Sequence, residues 1–343
     1  MRIISADASW RDAWDAFVRS HGQAAPYHRF AWLEAVGRAY GFSQASLLAV
    51  RDGQVVGVLP LVVMATPGQR SRLVSLPYCD FAGPLAEDVQ TCCRLLEQAQ
   101  AVARHQGFGR MTVRRQSSDA TVSGKVLMRL ELPPGAESLL RSFPAKLRSQ
   151  VGKPARDGLC VVSGGEELLE PFYAVVARNM RDLGSPTHSR AWFRAVLRAY
   201  GSHCRIWLVR LPEGLPAAAG MTLVHGGLTC LPWASSLREY NRSNANMLLY
   251  WAMLSQAARD GQSVFDFGRS SPGSGTYRFK RQWGAMESGL DWTVYDPETG
   301  GVQTPSLGNG SGGLRRLAER CWRRLPLSVA NLAGPALRRY ISL

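Results

Sequence analysis

The chain of 343 residues is 45% hydrophobic and 20% charged, an ordinary globular composition long enough for two domains. Its net charge of +15 favours an anionic partner such as RNA, a phosphorylated metabolite or an acidic membrane face, without choosing among them. The opening MRIISADASW does not read as a secretory leader, and the longest apolar run, VVGVLPLVVMA (55–65), falls short of the roughly 20 residues that cross a bilayer. Neither the cysteine nor the histidine spacing suggests disulfides or a metal site, so the expectation is a cytoplasmic protein with reduced thiols and no metal.

In chain order the first strong feature is HRFAWLEAVGRAYG (28–41), which returns as HSRAWFRAVLRAYG (188–201) with nine of fourteen positions identical at an offset of 160 residues. Each copy predicts an amphipathic helix stopped by glycine. Each is followed by a strand, LLAVR (47–51) or IWLVR (206–210), then a turn and a second strand, VVGVLPLVV or AAAGMTLV. Similarity at one fixed offset means a duplicated unit, and two copies are too few for a solenoid. The expected fold is α/β with mixed sheets. The N-terminal domain is expected over 1–122, the C-terminal domain over 123–300 with the boundary in QSSDATVSG (116–124), and a flexible linker with a basic helical tail, LRRLAERCWRRLPL, over 301–343.

Between these landmarks, SLPYCDFAGPL (75–85) sets Asp80 after an apolar strand, where a turn and a cleft are equally suited. Cys79 and Cys160 read as small core residues. The segment AKLRSQVGKPARDGL (145–159) reads as a helix with a solvated basic face. FYAVVARNMRDLGSPTHSR (172–190) runs a helix into an exposed RDLGSP turn. There Asn179, Arg181 and Asp182 either recognise a substrate or, for Arg181 with Asp182, form a surface pair worth less than about 1 kcal/mol. Next come strand LTCLPW (228–233), the polar loop ASSLREYNRS, and a helix that Asn244 caps and Gly261 ends. Strand GLDWTVYD (289–296) is expected in the second domain.

The most chemical stretch is FDFGRSSPGSGTYRFKRQWG (265–284). Gly268 and Gly273 have the spacing of a phosphate loop, but position 274 is serine where that loop needs lysine. Gly273 and Gly275 begin a dinucleotide fingerprint that fails at Arg278. What remains is a loop from a strand's C-terminal end into a short helix, a position where α/β sheets build ligand sites and where helix-start N–H groups face an anion. Arg269 and Lys280 flank it, and Tyr277 can donate a hydrogen bond to a phosphate or a developing oxyanion. Only Lys125, Lys146, Lys153 and Lys280 are lysines among 41 basic residues, which singles out Lys280. The alternative is that Gly273 and Gly275 make a turn, Phe279 and Trp283 pack in the core, and the cations are solvated.

The repeat, the RNMRDLGSP turn, the 265–284 loop and LPYCDFAGPL together resemble the FemAB-related proteins of the GNAT acyltransferase superfamily, in particular the branch found with exosortase/PEP-CTERM exopolysaccharide systems. The resemblance spans roughly residues 10 to 340. It implies two tandem GNAT-like domains whose central strands splay to admit an acyl donor. The better-known Fem enzymes transfer an amino acid from aminoacyl-tRNA to an amine of a cell-wall precursor.

By that resemblance Lys280 supports the tRNA end or the oxyanion, Arg181 grips an acceptor phosphate, and Tyr240 and Tyr277 line the cleft. Asp182, Asn179, Arg269, Ser270 and Gly275 join them as candidate substrate contacts, and Asp266 is a candidate base or an orienter of Arg269. The chain departs from the family where Arg38 stands for a phosphate-binding lysine, and where neither copy shows the R/Q-x-x-G-x-G/A loop that holds CoA.

The expected activity is acyl or aminoacyl transfer to an amine or hydroxyl of a cell-envelope or exopolysaccharide precursor. No cofactor is expected; the donor, aminoacyl-tRNA or acyl-CoA, is a co-substrate. The alternatives are an acyl-CoA- or acyl-carrier-dependent N-acyltransferase, and a degenerate relative that only binds RNA or docks its basic tail on an anionic face of the inner membrane. Replacing Lys280 by alanine is expected to abolish transfer and leave stability nearly intact.

Overall fold

The computed structural model of the protein describes residues 1–117, 119, 124–304 and 313–342. The expected domain boundary at 122 and most of the expected linker lie outside the described residues. The chain forms two compact units, one of 1–127, 287–308 and 340–343 and one of 128–286 and 309–339.

The first unit opens with strand β1 (Arg2–Ser5) and helices α1 (Arg11–Ser20) and α2 (Phe30–Tyr40), followed by β2 (Ser43–Gln44), β3 (Leu47–Arg51), β4 (Gln54–Leu59), β5 (Val62–Thr66), β6 (Gln69–Val74) and β7 (Leu85–Ala86). Helix α3 (Val89–His105) and β8 (Arg110–Ser117) complete its early part. β1, β3, β4 and β7 make one antiparallel sheet. Helix α3 packs onto it closely, because Gly57 in β4 brings no Cβ where one would lie 3.0 Å from Leu95 and Thr91. Leu47, Ala49, Val56, Leu59, Leu95 and Ala99 are the heart of that core.

The strand Met286–Tyr295, expected with the second domain, belongs mostly to the first unit. It pairs antiparallel with β8 from Gly289↔Ser117 to Tyr295↔Met111, and Val302–Gln303, expected as linker, pairs with its end. Ladder hydrogen bonds, rather than order in the chain, decide its membership.

The second unit begins with β9 (Val126–Glu131), α4 (Ala136–Ser142), α5 (Ala145–Arg156), β10 (Cys160–Gly164), α6 (Leu169–Leu183) and α7 (Arg190–Tyr200). There follow β11 (Cys204–Arg210), β12 (Pro216–His225), β13 (Leu228–Ser236), α8 (Ala245–Arg259), β14 (Val264–Ser270), α9 (Gly275–Arg281), α10 (Gly313–Arg323) and α11 (Leu327–Arg338). The sheet order is β10-β11-β12-β13-β14-β9, antiparallel up to β13 and parallel between β13 and β14. Gly220 of β12 points at α8, where a Cβ would lie 3.0 Å from Met253. Its cross-strand partner Ala234 shares that face, so the next residue, Ser235, points the other way, where Asn179 of α6 bonds it. Helices thus cover both faces.

The repeat is structural: α2 and α7 start and stop 160 positions apart. Trp32 and Trp192 are fully buried in their units, and the repeat histidines His28 and His188 are buried as well. Local expectations fail in three places. Cys160 is exposed because β10 is an edge strand, whereas Cys79 is buried. Asn244 precedes α8 in a left-handed conformation, φ +57°, and its side chain caps nothing. Finally, the tail holds a second helix, α11, which Gly334 and Pro335 disguise in the sequence.

Candidate active site

Strands β13 and β14 pair only from Leu228↔Val264 to Cys230↔Asp266, and both run on past that point. Beyond it, β13 carries Ser235 and β14 carries Phe267 to Ser270. Candidate residues Ser270 and, through Ser235, Asn179 lie at this end of the two strands.

On the β14 side, Gly268 turns the chain with φ +74°, a conformation that suits glycine. Asp266, 2% exposed, accepts from the Gly268 N–H at 2.7 Å and from Nε of Arg129 at 2.9 Å. Lys280, 7% exposed, donates to the carbonyls of Gly268 and Arg269, both at 2.9 Å. Lys280 is therefore a clamp on the β14 loop, and the solvated-cation alternative does not hold for it. The expectation that its loss would spare stability is corrected for the same reason, since two carbonyls would lose their donor. Asp266 likewise works as a tie between β14 and β9. Arg129 escaped the sequence reading, although a lone arginine inside the strand VLMRLEL was a usable signal.

Next in the chain stands Ser270, 4% exposed, whose hydroxyl has no hydrogen-bond partner among the described residues. A buried unpaired hydroxyl is costly and calls for a reason. The helix start is less available than expected, because Ser274 Oγ accepts from the Tyr277 N–H at 3.2 Å and caps α9 itself. Gly275 opens α9 with no atom within 4 Å of a built Cβ, so packing inside the chain does not demand glycine there. Trp283 is buried as the alternative reading held, stacked with Tyr250 and edge-on to Phe143, and Phe279 is half-buried. Burial raises the Tyr250 phenol above its ordinary range. This aromatic bed fixes α9, and through it Lys280.

On the β13 side, Asn179 donates to Ser235 Oγ at 3.1 Å. Arg178 forks onto Glu239 at 2.9 and 2.6 Å, and Tyr240 follows Glu239, whose hydrogen bond pushes the Tyr240 phenol up. Arg181 binds Asp182 at 2.7 Å and also donates to the carbonyl of Leu325 in the tail at 3.1 Å. The RDLGSP turn, expected to be exposed, is partly covered: Leu183 remains exposed while its neighbours are half-buried or buried. Gly184 is buried with φ +80°, and a Cβ there would lie 2.7 Å from the carbonyl of Glu319. The structure thus ties Asp266, Gly268, Arg269 and Lys280 into one network that leads to Ser270, Gly275 and Tyr277. It sets Asn179 beside β13, and it turns Arg181 and Asp182 toward the tail.

Residues 141–281 match the family described as Acetyltransferase (GNAT) domain. Among solved structures, FemX is similar at 17% identity and a TM-score of 0.67, over 84% of this chain and 96% of that one. L-PGS from Bacillus licheniformis aligns at 12% identity and a TM-score of 0.55, over 99% and 98%. A tandem GNAT protein from the clavulanic acid biosynthesis pathway aligns at 12% and 0.54, over 86% and 98%. No curated protein matches the sequence. Residues 141–281 match a GNAT acetyltransferase domain, the chain has a tandem GNAT-like fold, and the protein is an acyltransferase.

Proposed function

We propose that the protein transfers an acyl or aminoacyl group from an activated ester to an amine or hydroxyl of a cell-envelope or exopolysaccharide precursor, as FemAB-related enzymes do. The observation that carries this reading is the parting of β13 and β14, with Ser235, bonded by Asn179 of α6, beyond it on one strand and Gly268, Arg269 and Ser270 on the other. Parted strands leave main-chain donors and acceptors for the amide groups of an extended substrate to pair with.

In the reaction the acceptor's nitrogen or oxygen bonds to the acyl carbonyl carbon, and charge collects on the carbonyl oxygen. The bond to the leaving oxygen then breaks, and the acceptor's proton ends on that oxygen. The donor is already activated, so positioning and oxyanion support carry most of the catalysis. The buried Ser270 hydroxyl and Tyr277 are the proposed donors to the oxyanion. Lys280 sets the Gly268–Ser270 segment and supplies positive charge beside it, while Asp266 positions the segment through Arg129. Asn179, Arg181, Asp182, Arg269, Tyr240 and the open space over Gly275 serve the substrates, and tRNA is the proposed partner on the donor side. The GNAT acetyltransferase match over 141–281 favours a second reading in which the donor is an acyl-CoA thioester.

The test is transfer of a labelled acyl group to an amine, with aminoacyl-tRNA and acetyl-CoA supplied in turn. Ser270→Ala is expected to lower kcat/KM by about a hundredfold, the effect of losing one oxyanion donor, and full turnover in that variant removes its role. Turnover with acetyl-CoA alone selects the second reading. Salt-sensitive RNA binding without turnover of either donor rejects both.

A further inference from the structure

The tail has two faces, and only the inner one is accounted for. That face is fitted to the turn after α6. Gly334 of α11 approaches Thr187 so closely that a Cβ would lie 3.2 Å from its N–H nitrogen, and Arg338 donates to His188 Nε2 at 3.1 Å. Arg323 donates to the carbonyl of Leu183 at 3.3 Å, and Arg181 holds Leu325 as described above. Within α11, buried Ala330 and Gly334 are four apart and mark the face toward α6.

The outer face of α11 is apolar. Val329, Leu332 and Ala336 follow at i, i+3 and i+7, and Leu332 is 83% exposed, the most exposed large apolar residue described. No aspartate or glutamate occurs after Glu319, whereas Arg320, Arg323, Arg324, Arg338 and Arg339 do. Of these, Arg320, Arg323 and Arg324 are exposed, as is Arg316 before them. An exposed leucine stripe on α11 together with exposed arginines on the helix before it suits a surface that is apolar inside and anionic outside.

We infer that α10 and α11 dock the protein on an anionic lipid bilayer, with Leu332 and Val329 entering the headgroup boundary and Arg316, Arg320 and Arg324 meeting lipid phosphates. The inference is independent of the transferred group, and it keeps the inner face of the tail packed on α6 while the outer face meets lipid.

The experiment floats the full chain with phosphatidylcholine vesicles made with and without phosphatidylglycerol. Binding is expected only with phosphatidylglycerol and should weaken with added salt. Leu332→Glu, at an exposed position, should leave thermal unfolding unchanged and lower vesicle partition by tenfold or more, on the order of what withdrawing one leucine from an apolar phase removes. Arg320→Gln and Arg324→Gln should each lower it by about fivefold.

Equal binding to both vesicle types, or variants that bind as the unaltered chain does, would overturn the inference. So would an absence of vesicle binding. If the arginine variants then lose retention on immobilised RNA, those arginines serve nucleic acid. If Leu332→Glu then splits a dimer, the stripe is covered by a second copy.

Discussion

Each unit buries a cation on the carbonyls of a loop, and the two cations differ in kind. In the first unit Arg114, 1% exposed, donates to the carbonyls of Leu76, Cys79 and Ser342 and to Ser342 Oγ, with its guanidinium 4.5 Å from the centre of the Trp292 ring. The loop it holds is strained, since Leu76 and Tyr78 adopt φ of +148° and +68° without being glycines. In the second unit Lys280 holds two consecutive carbonyls where glycine makes the turn, so little strain has to be opposed. A planar guanidinium reaches several fixed acceptors at once, whereas an ammonium is a compact charge that fits behind a tight turn. The first arrangement suits a structural rivet. The second leaves the Ser270 hydroxyl, unpartnered among the described residues, next to the clamped carbonyls.

The largest effect expected from breaking this comparison is at the rivet. Arg114→Ala strips a donor from the buried carbonyls of Leu76 and Cys79 and a second donor from the half-buried carbonyl of Ser342, and should lower unfolding stability by about 3 kcal/mol, at about 1 kcal/mol for each. Urea denaturation measures it, and an unchanged midpoint would show that the loop holds without Arg114. Lys280→Met should cost about 2 kcal/mol by the same reasoning and also suppress transfer. Lys280→Arg should not restore activity, because the planar group does not fit the two-carbonyl seat; full activity in that variant would erase the contrast between the cations.

The repeat histidines offer a smaller test. Burial, and after it the charge of Arg338, hold the His188 imidazole well below its ordinary value of 6.5, so the folded state resists protonation while the unfolded state accepts it. Stability is therefore expected to be full above the unfolded value and to fall by about 1.4 kcal/mol per pH unit below 6.5 until the folded value is reached. Thermal unfolding between neutral and mildly acid pH reads this slope, and His188→Gln should flatten it; an equal slope in the variant would move the effect elsewhere. The smallest effect is at Gly275→Ala, expected to change stability by less than about 0.5 kcal/mol, as at an unremarkable surface position. A large loss of transfer with that stability intact would show that substrate passes over the open space there, and unchanged kinetics would show that it does not.

Much of this architecture was legible in the sequence because it is written locally. The two tryptophan-centred helices and their following strands could be read from periodicity, and Lys280 stood out as a lysine in an arginine-rich chain. The roles of the site residues were less legible. Asp266 looked like a base or a partner for Arg269, and only the fold brings it to Arg129, 137 positions away. The RDLG turn looked exposed because nothing nearby in sequence covers it, yet Glu319, Arg323 and Leu325 partly cover it.

By itself, then, the sequence determined the duplicated helix-strand unit, the strand-loop-helix of 264–281 and the basic character of the tail. Helical and strand periods, caps and glycine turns act over a few residues and need no distant partner. Tertiary structure alone decided that Met286–Tyr295 sits mainly with the first unit, that Lys280 is buried on two carbonyls, that Ser270 has no partner among the described residues, and that the tail seats itself through Arg338 on a histidine 150 positions away. Those outcomes depend on which distant groups meet once apolar faces are buried and backbone hydrogen bonds are shared out between strands, and no local pattern specifies that.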